Sequence, residues 1–209
     1  IYDPELTFSL PSFITGPSAI NAMAHSVEAL YVPGANPVTS LMAEEGIRAL
    51  AHGLPIAIEQ PEDLEGRSEV FYGAYLAGAA LAAVGTGLHH KICHTLGGAY
   101  NLPHAETHTV ILPHVVAFYE PAIPAIMERI AHALGAQGAS TGIYDLAKGI
   151  GAPTALKNIG MKEEHLNEAI NLILAKAPND NVRPVDEAGI RTILENAYVG
   201  LRPVPERSL

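Results

Sequence analysis

Six of the chain's ten histidines fall in one run, GLHHKICHTLGGAYNLPHAETHTVILPH, at positions 87–114. Imidazole changes charge near neutral pH and ligates transition metals through either ring nitrogen, so such a run suits acid–base work or metal binding. Spacing narrows the candidates. His90 and His94 are four apart, which on a helix puts both rings on one face. His104 follows past a glycine pair and a loop that can fold the chain back, and His108 lies one helical turn beyond it. Far upstream, NAMAH at 21–25 sets Asn21 and His25 at the same four-residue spacing, with Glu28 continuing that face.

Isolated histidines are usually solvated or hydrogen-bonded, and His52, His132 and His165 are read that way. Burying several imidazoles together costs free energy unless each finds a partner, so the dense run argues for a pocket. Asn21, His25, His90 and His104 form its expected frame, with His94 beside them and His108 able to line the same space. His89 and His114 are assigned structural roles. Cys93 suits a small buried packing residue better than a nucleophile. Lys91, next to His90 in sequence, should point off the His90/His94 face.

The elements that must hold these residues read as helices almost throughout. Ile20, Met23, Val27, Leu30 and Tyr31 recur at helical spacing and predict one buried stripe. Asn36-Pro37 has the form of a cap and first-turn pair, opening a helix that should end near Gly53. A helix over 63–84 follows, whose Gly73, Ala74, Ala77, Gly78 and Ala80 permit close backbone approach. The uncharged stretch 70–88 has borderline membrane-span length, but its Ala and Gly content favours a soluble core helix buried on all sides. The histidine run predicts one helix over 87–96, stopped by Gly97-Gly98, and another from 104 to Pro113. Further helices are expected at 121–134, 140–149 (capped by Ser140), 162–176 and 186–199 (capped by Asp186). Gly151-Ala152-Pro153 and Pro178-Asn179-Asp180-Asn181 should break them. The fold class is thus an all-α bundle of about eight helices over 17–209. IYDPELTFSLPS reads as the tail of a strand, so residues 1–16 should be a segment leaving a preceding domain.

Composition excludes several functions. A net charge of -10 disfavours nucleic acid, which needs clustered Lys and Arg. The single Cys93 allows no internal disulfide and suits a reducing, cytoplasmic setting; no secretory signal is visible.

With these motifs in place, the run 87–114 resembles the histidine-rich signature of the iron-containing alcohol dehydrogenase superfamily. GLHHKICHTLGG, NLPHAETHT and NAMAHSVEALY are similar to its maleylacetate reductases. The resemblance implies a dehydroquinate synthase-like helical C-terminal domain. Its missing partner would be an N-terminal nucleotide-binding α/β domain carrying the glycine loop that cradles NADH or NADPH. It further implies reduction of the enone double bond of maleylacetate, a small dicarboxylate, to 3-oxoadipate in aromatic-compound degradation, by a homodimer. In metal-dependent members an Asp-x-x-x-His pair and two later histidines hold iron or zinc. By motif position these are Asn21, His25, His90 and His104, with Asn21 replacing the Asp. Loss of that charge implies a degenerate site with weak or no metal binding. His94 is then the expected proton donor, with His25, His90 and His104 as polarising and carboxylate contacts and Asn21 and His108 toward the substrate. Two alternatives stand beside this reading: a metal-dependent alcohol dehydrogenase acting on a carbonyl, and a non-catalytic module with exposed imidazoles.

Overall fold

The structure is a computed structural model that describes residues 2–178 and 180–204. Helices α1 (Ser12–Ala29), α2 (Pro37–Glu59), α3 (Leu64–Val84), α4 (Leu88–Tyr100) and α5 (His104–Tyr119) are followed by α6 (Pro124–Leu134), α7 (Ala139–Gly149), α8 (Leu166–Leu174) and α9 (Glu187–Val199). Short 3₁₀ turns join some of them, and the described residues contain no strand. The expected all-α bundle is what forms.

Helix α5 is the hub, buried almost continuously from Thr107 to Val116 and packed against α1, α4, α7 and α9. The predicted α1 stripe is buried: Ile20, Met23 and Val27 are at 0% exposure. Each such side chain contributes about 1.5–3 kcal/mol. Asn36 caps α2 through Val38 N and Thr39 N, and Asp186 caps α9 through Gly189 N, both as expected.

Several predicted boundaries move. Residues 4–7 form a 3₁₀ turn rather than a strand tail, and α1 starts at Ser12. α2 runs past Gly53 to Glu59, because Leu54 and Ala57 remain on its buried face. α4 passes through Gly97-Gly98 and stops at Asn101, which takes the left-handed conformation (φ 52°) that Asn tolerates. α5 continues through Pro113. Burial of Val115, Val116 and Tyr119 outweighs the lost hydrogen bond, a penalty of about 3 kcal/mol in a helix interior. α6 begins at Pro124 rather than 121, Gly138 rather than Ser140 stands at the N-cap of α7, and residues 163–165 are a 3₁₀ turn leading into α8. In the expected break at Pro178-Asn179-Asp180-Asn181, Asn179 lies outside the described residues, as do Ile1 and 205–209 at the ends of the predicted segments.

α3 is buried on one face only. Gly66, Val70, Gly73, Ala77 and Ala80 face the core, whereas Tyr72 and Tyr75 are exposed. Its small residues serve a close crossing with α2. A Cβ on Gly73 would lie 3.0 Å from the carbonyl of Gly46, and one on Gly53 would lie 2.8 Å from the carbonyl of Gly66. Among the described residues no single helix is long and apolar enough to cross a membrane.

Candidate active site

The site forms where α1 meets the α4–α5 hairpin. α1 contributes Asn21, His25 and Glu28; α4 contributes His89, His90 and His94; α5 contributes His104 and His108. The turn at Asn101–Pro103 folds α5 back so that His104 and His94 stack at 6.0 Å between ring centroids. His25 stacks on His90 at 4.4 Å, and His108 lies 4.8 Å from His90 and 4.4 Å from His104. The expected histidines are therefore gathered in one cluster, with Asn21 one helical turn before His25 on α1.

Its depth is graded. His89, His90 and His108 are buried, Asn21 and His25 half-buried, and His94 and His104 exposed at the rim. Lys91 is exposed, and Cys93 is packed in the core with Sγ 3.7 Å from His89 Nε2. Burial raises the Cys93 thiol well above its usual range, and the nearby Glu28 carboxylate adds to this.

Two residues hold positions the sequence did not assign. His89, expected to be merely structural, belongs to the cluster: its Nε2 lies 2.9 Å from His108 Nδ1, one of the two donating. Glu28 shared a helical face with Asn21 and His25, the one signal available, but its partners lie far away in sequence. Its carboxylate accepts from Gly87 N (2.8 Å) and His89 N (2.7 Å) and contacts His90 Nδ1 at 2.5 Å. His114 does stand apart, buried beside a separate cavity of about 310 Å³ next to Phe118 and Arg183. His52 and His132 are exposed, and His165 stacks on Tyr100.

Burial, followed by repulsion among neighbouring imidazoles, lowers the proton affinity of His25, His89, His94 and His108. It lowers His25 to about 4 and His108 to about 2, and pushes His89 well down. His94 is also lowered, by burial first, then His90, His104 and Lys91. His114 falls to about 4 through burial alone. In the unfolded chain these groups regain protons near the ordinary value of about 6.5. Stability from their neutral forms is therefore complete above pH 6.5 and lost as pH falls below it, through about 4 for His25 and His114 and about 2 for His108. From His114 alone the loss is about 3 kcal/mol. Thermal melts across this window are expected to show Tm dropping steeply, and His114→Gln should flatten part of the drop. A pH-independent Tm between 7 and 4 would contradict this assignment.

The implied metal ligands can be tested against these positions. Among the described residues, the trio whose ligand atoms lie within 4.8 Å of one another is His89, His90 and His108, not His25, His90 and His104. In that trio His89 and His108 are already bonded to each other, while His104 sits on the rim. Asn21 brings no charge, and the nearby carboxylate, Glu28, is occupied by two backbone N–H groups and His90. The implied ligand set thus lacks an anionic donor, and its three imidazoles do not form the compact trio. The cluster does leave polar capacity: Asn21 Oδ1, His25 Nδ1, His90 Nε2 and His108 Nε2 are buried without a hydrogen-bond partner in the protein.

The profile of the Fe-containing alcohol dehydrogenase family, C-terminal, matches residues 15–198. The chain belongs to this family. Maleylacetate reductase of Burkholderia cepacia is 52% identical to it over 203 residues, covering 97% of this chain and 57% of the relative. That of Delftia acidovorans is 49% identical over 205 residues, covering 98% and 58%. The crystal structure of maleylacetate reductase from Rhizobium sp. strain MTP-10005 superposes with a TM-score of 0.93 at 46% identity, covering 97% of this chain and 57% of that one. The chain thus spans under three-fifths of the length of these family members.

Proposed function

We propose that this chain is the substrate-side helical domain of an NAD(P)H-dependent maleylacetate reductase. The observation that carries the reading is the cluster itself: unpartnered polar atoms from Asn21, His25, His90 and His108 beside an exposed rim of His94 and His104. Identity of about half to maleylacetate reductases along nearly the whole chain supports it. Burial of His89, His90 and His108 counts against a module that presents its imidazoles to solvent.

In the proposed reaction, a bound reduced nicotinamide would supply hydride to the carbon beta to the substrate ketone. The phosphate cradle that a nicotinamide cofactor needs is proposed to lie in a nucleotide-binding domain that partners this helical one, as the chain spans under three-fifths of its maleylacetate reductase relatives. Negative charge moves onto the ketone oxygen, and a proton then completes the saturated product. His25 and His104 orient and polarise the ketone and hold a carboxylate, His90 offers Nε2 as an acceptor, Asn21 lines the substrate side, and His108 Nε2 donates when its Nδ1 accepts from His89. His94 at the rim donates the proton. Its lowered proton affinity in the free protein makes the substrate part of the device, since two carboxylates beside the ring favour its charged form. On this reading the working form is a cytoplasmic homodimer serving aromatic-compound degradation.

The test is an assay of the intact protein with maleylacetate and with simple aldehydes, each with chelator and with added Fe²⁺ or Zn²⁺. Chelator-resistant reduction of maleylacetate is expected. Aldehyde reduction that requires metal would overturn the reading in favour of a metal-dependent alcohol dehydrogenase. Asn21→Asp restores an anionic oxygen beside His25. It is expected to raise metal content by elemental analysis from well below one to about one ion per chain, since charge is what the neutral donor set lacks. An unmodified protein that already holds one tight ion per chain would sink the metal-free mechanism.

A further inference from the structure

Glu28 is a fully buried carboxylate, at 0% exposure, and it is the link between α1 and the start of α4. Gly87, the residue before α4, has no side chain with which to cap the helix, and Glu28 performs that task from 59 residues away. One carboxylate oxygen accepts from His89 N, and the other accepts from Gly87 N. Anionic oxygens suit these exposed N–H groups and the positive end of the helix dipole. The approach is tight: a Cβ at Gly87 would lie 3.0 Å from Glu28 Oε1 and 3.2 Å from Val32 Cγ1.

The oxygen that meets Gly87 N also meets His90 Nδ1, at 2.5 Å. A carboxylate only accepts, so the imidazole nitrogen facing it must carry hydrogen. Which ring nitrogen of a histidine acts is set by the bond the other makes. In His90 the other nitrogen, Nε2, is buried without a partner, and its ring is stacked on His25 and packed edge-on to His108.

We propose that Glu28 is a positioning residue of this site: it fixes hydrogen on Nδ1 of His90 and leaves Nε2 as the nitrogen that acts toward the substrate. The role toward substrate rests on the proposed reductase reading; the tautomer itself does not. Because the same carboxylate caps α4, the orientation of His90 is tied to the seating of the helix that carries His94. A single buried group thus sets both the direction of one imidazole and the placement of the next.

The test is long-range ¹⁵N–¹H correlation NMR of histidine-labelled intact protein in mildly alkaline buffer, with His90 assigned through His90→Gln. The unmodified protein is expected to show the Nδ1–H form of His90. Glu28→Ala should shift it toward Nε2–H and lower kcat for maleylacetate by roughly 100-fold, with KM changed by less than about threefold. A folded Glu28→Ala protein that keeps the Nδ1–H form or the original kcat overturns the proposal. If that variant does not fold, the unmodified spectrum decides alone: an Nε2–H His90 overturns the tautomer assignment. Failure of the unmodified protein to reduce maleylacetate would instead remove the proposed reaction while leaving the tautomer result standing.

Discussion

His94→Gln is expected to lower maleylacetate turnover by roughly 10²- to 10⁴-fold while leaving Tm unchanged, the range that general acid catalysis supplies. The separation of effects follows from where the residue sits. His94 is exposed at the rim, so its loss opens no cavity and strands no buried partner. Gln keeps polarity and much of the length but cannot deliver a proton at neutral pH. His104, stacked on it at 6.0 Å, stays in place. Steady-state kinetics on the intact protein should show the loss chiefly in kcat. Single-turnover measurements should place it after hydride transfer, in the protonation step. A variant with unchanged kcat would remove His94 from the role of donor and point to His104, its exposed neighbour. A lowered Tm would indicate that His94 is structural.

The second large effect concerns the α2–α3 crossing. Gly53→Leu is expected to cost about 4 kcal/mol or more, because the space is taken by backbone rather than movable side chains. A Cβ there already falls 2.6 Å from Glu69 Cβ, 2.8 Å from Gly66 O and 3.0 Å from Val70 N. Two of these three atoms belong to the facing helix backbone, so relief requires the helices to separate. The control is Gly78→Ala on α3, where an added Cβ meets nothing within 4 Å. There the gain in helix propensity should stabilise the protein by about 0.5–1 kcal/mol. Denaturant melts would read both. Equal effects at the two sites would refute the close-crossing account. Such a contrast between two helical glycines is invisible to composition.

Periodicity determined much of this molecule. The α1 stripe, the Asn36 and Asp186 caps and the all-α class follow from local rules, since a residue's neighbours within one helix are fixed by 3.6 residues per turn. The same rule paired His90 with His94 and His104 with His108, so the candidate site was legible as pairs. Asn21 in place of the family's Asp was likewise plain in the sequence. Tertiary structure decided how those pairs meet. Glu28 reaches His90 across 62 residues, and His89 reaches His108 across 19; no helical period connects them. Packing also carried α5 through Pro113, where buried area outweighs local propensity. A helix's sequence specifies which of its faces is apolar. Which other face it meets, and which carboxylate therefore lies behind an imidazole, depends on the packing of the whole chain.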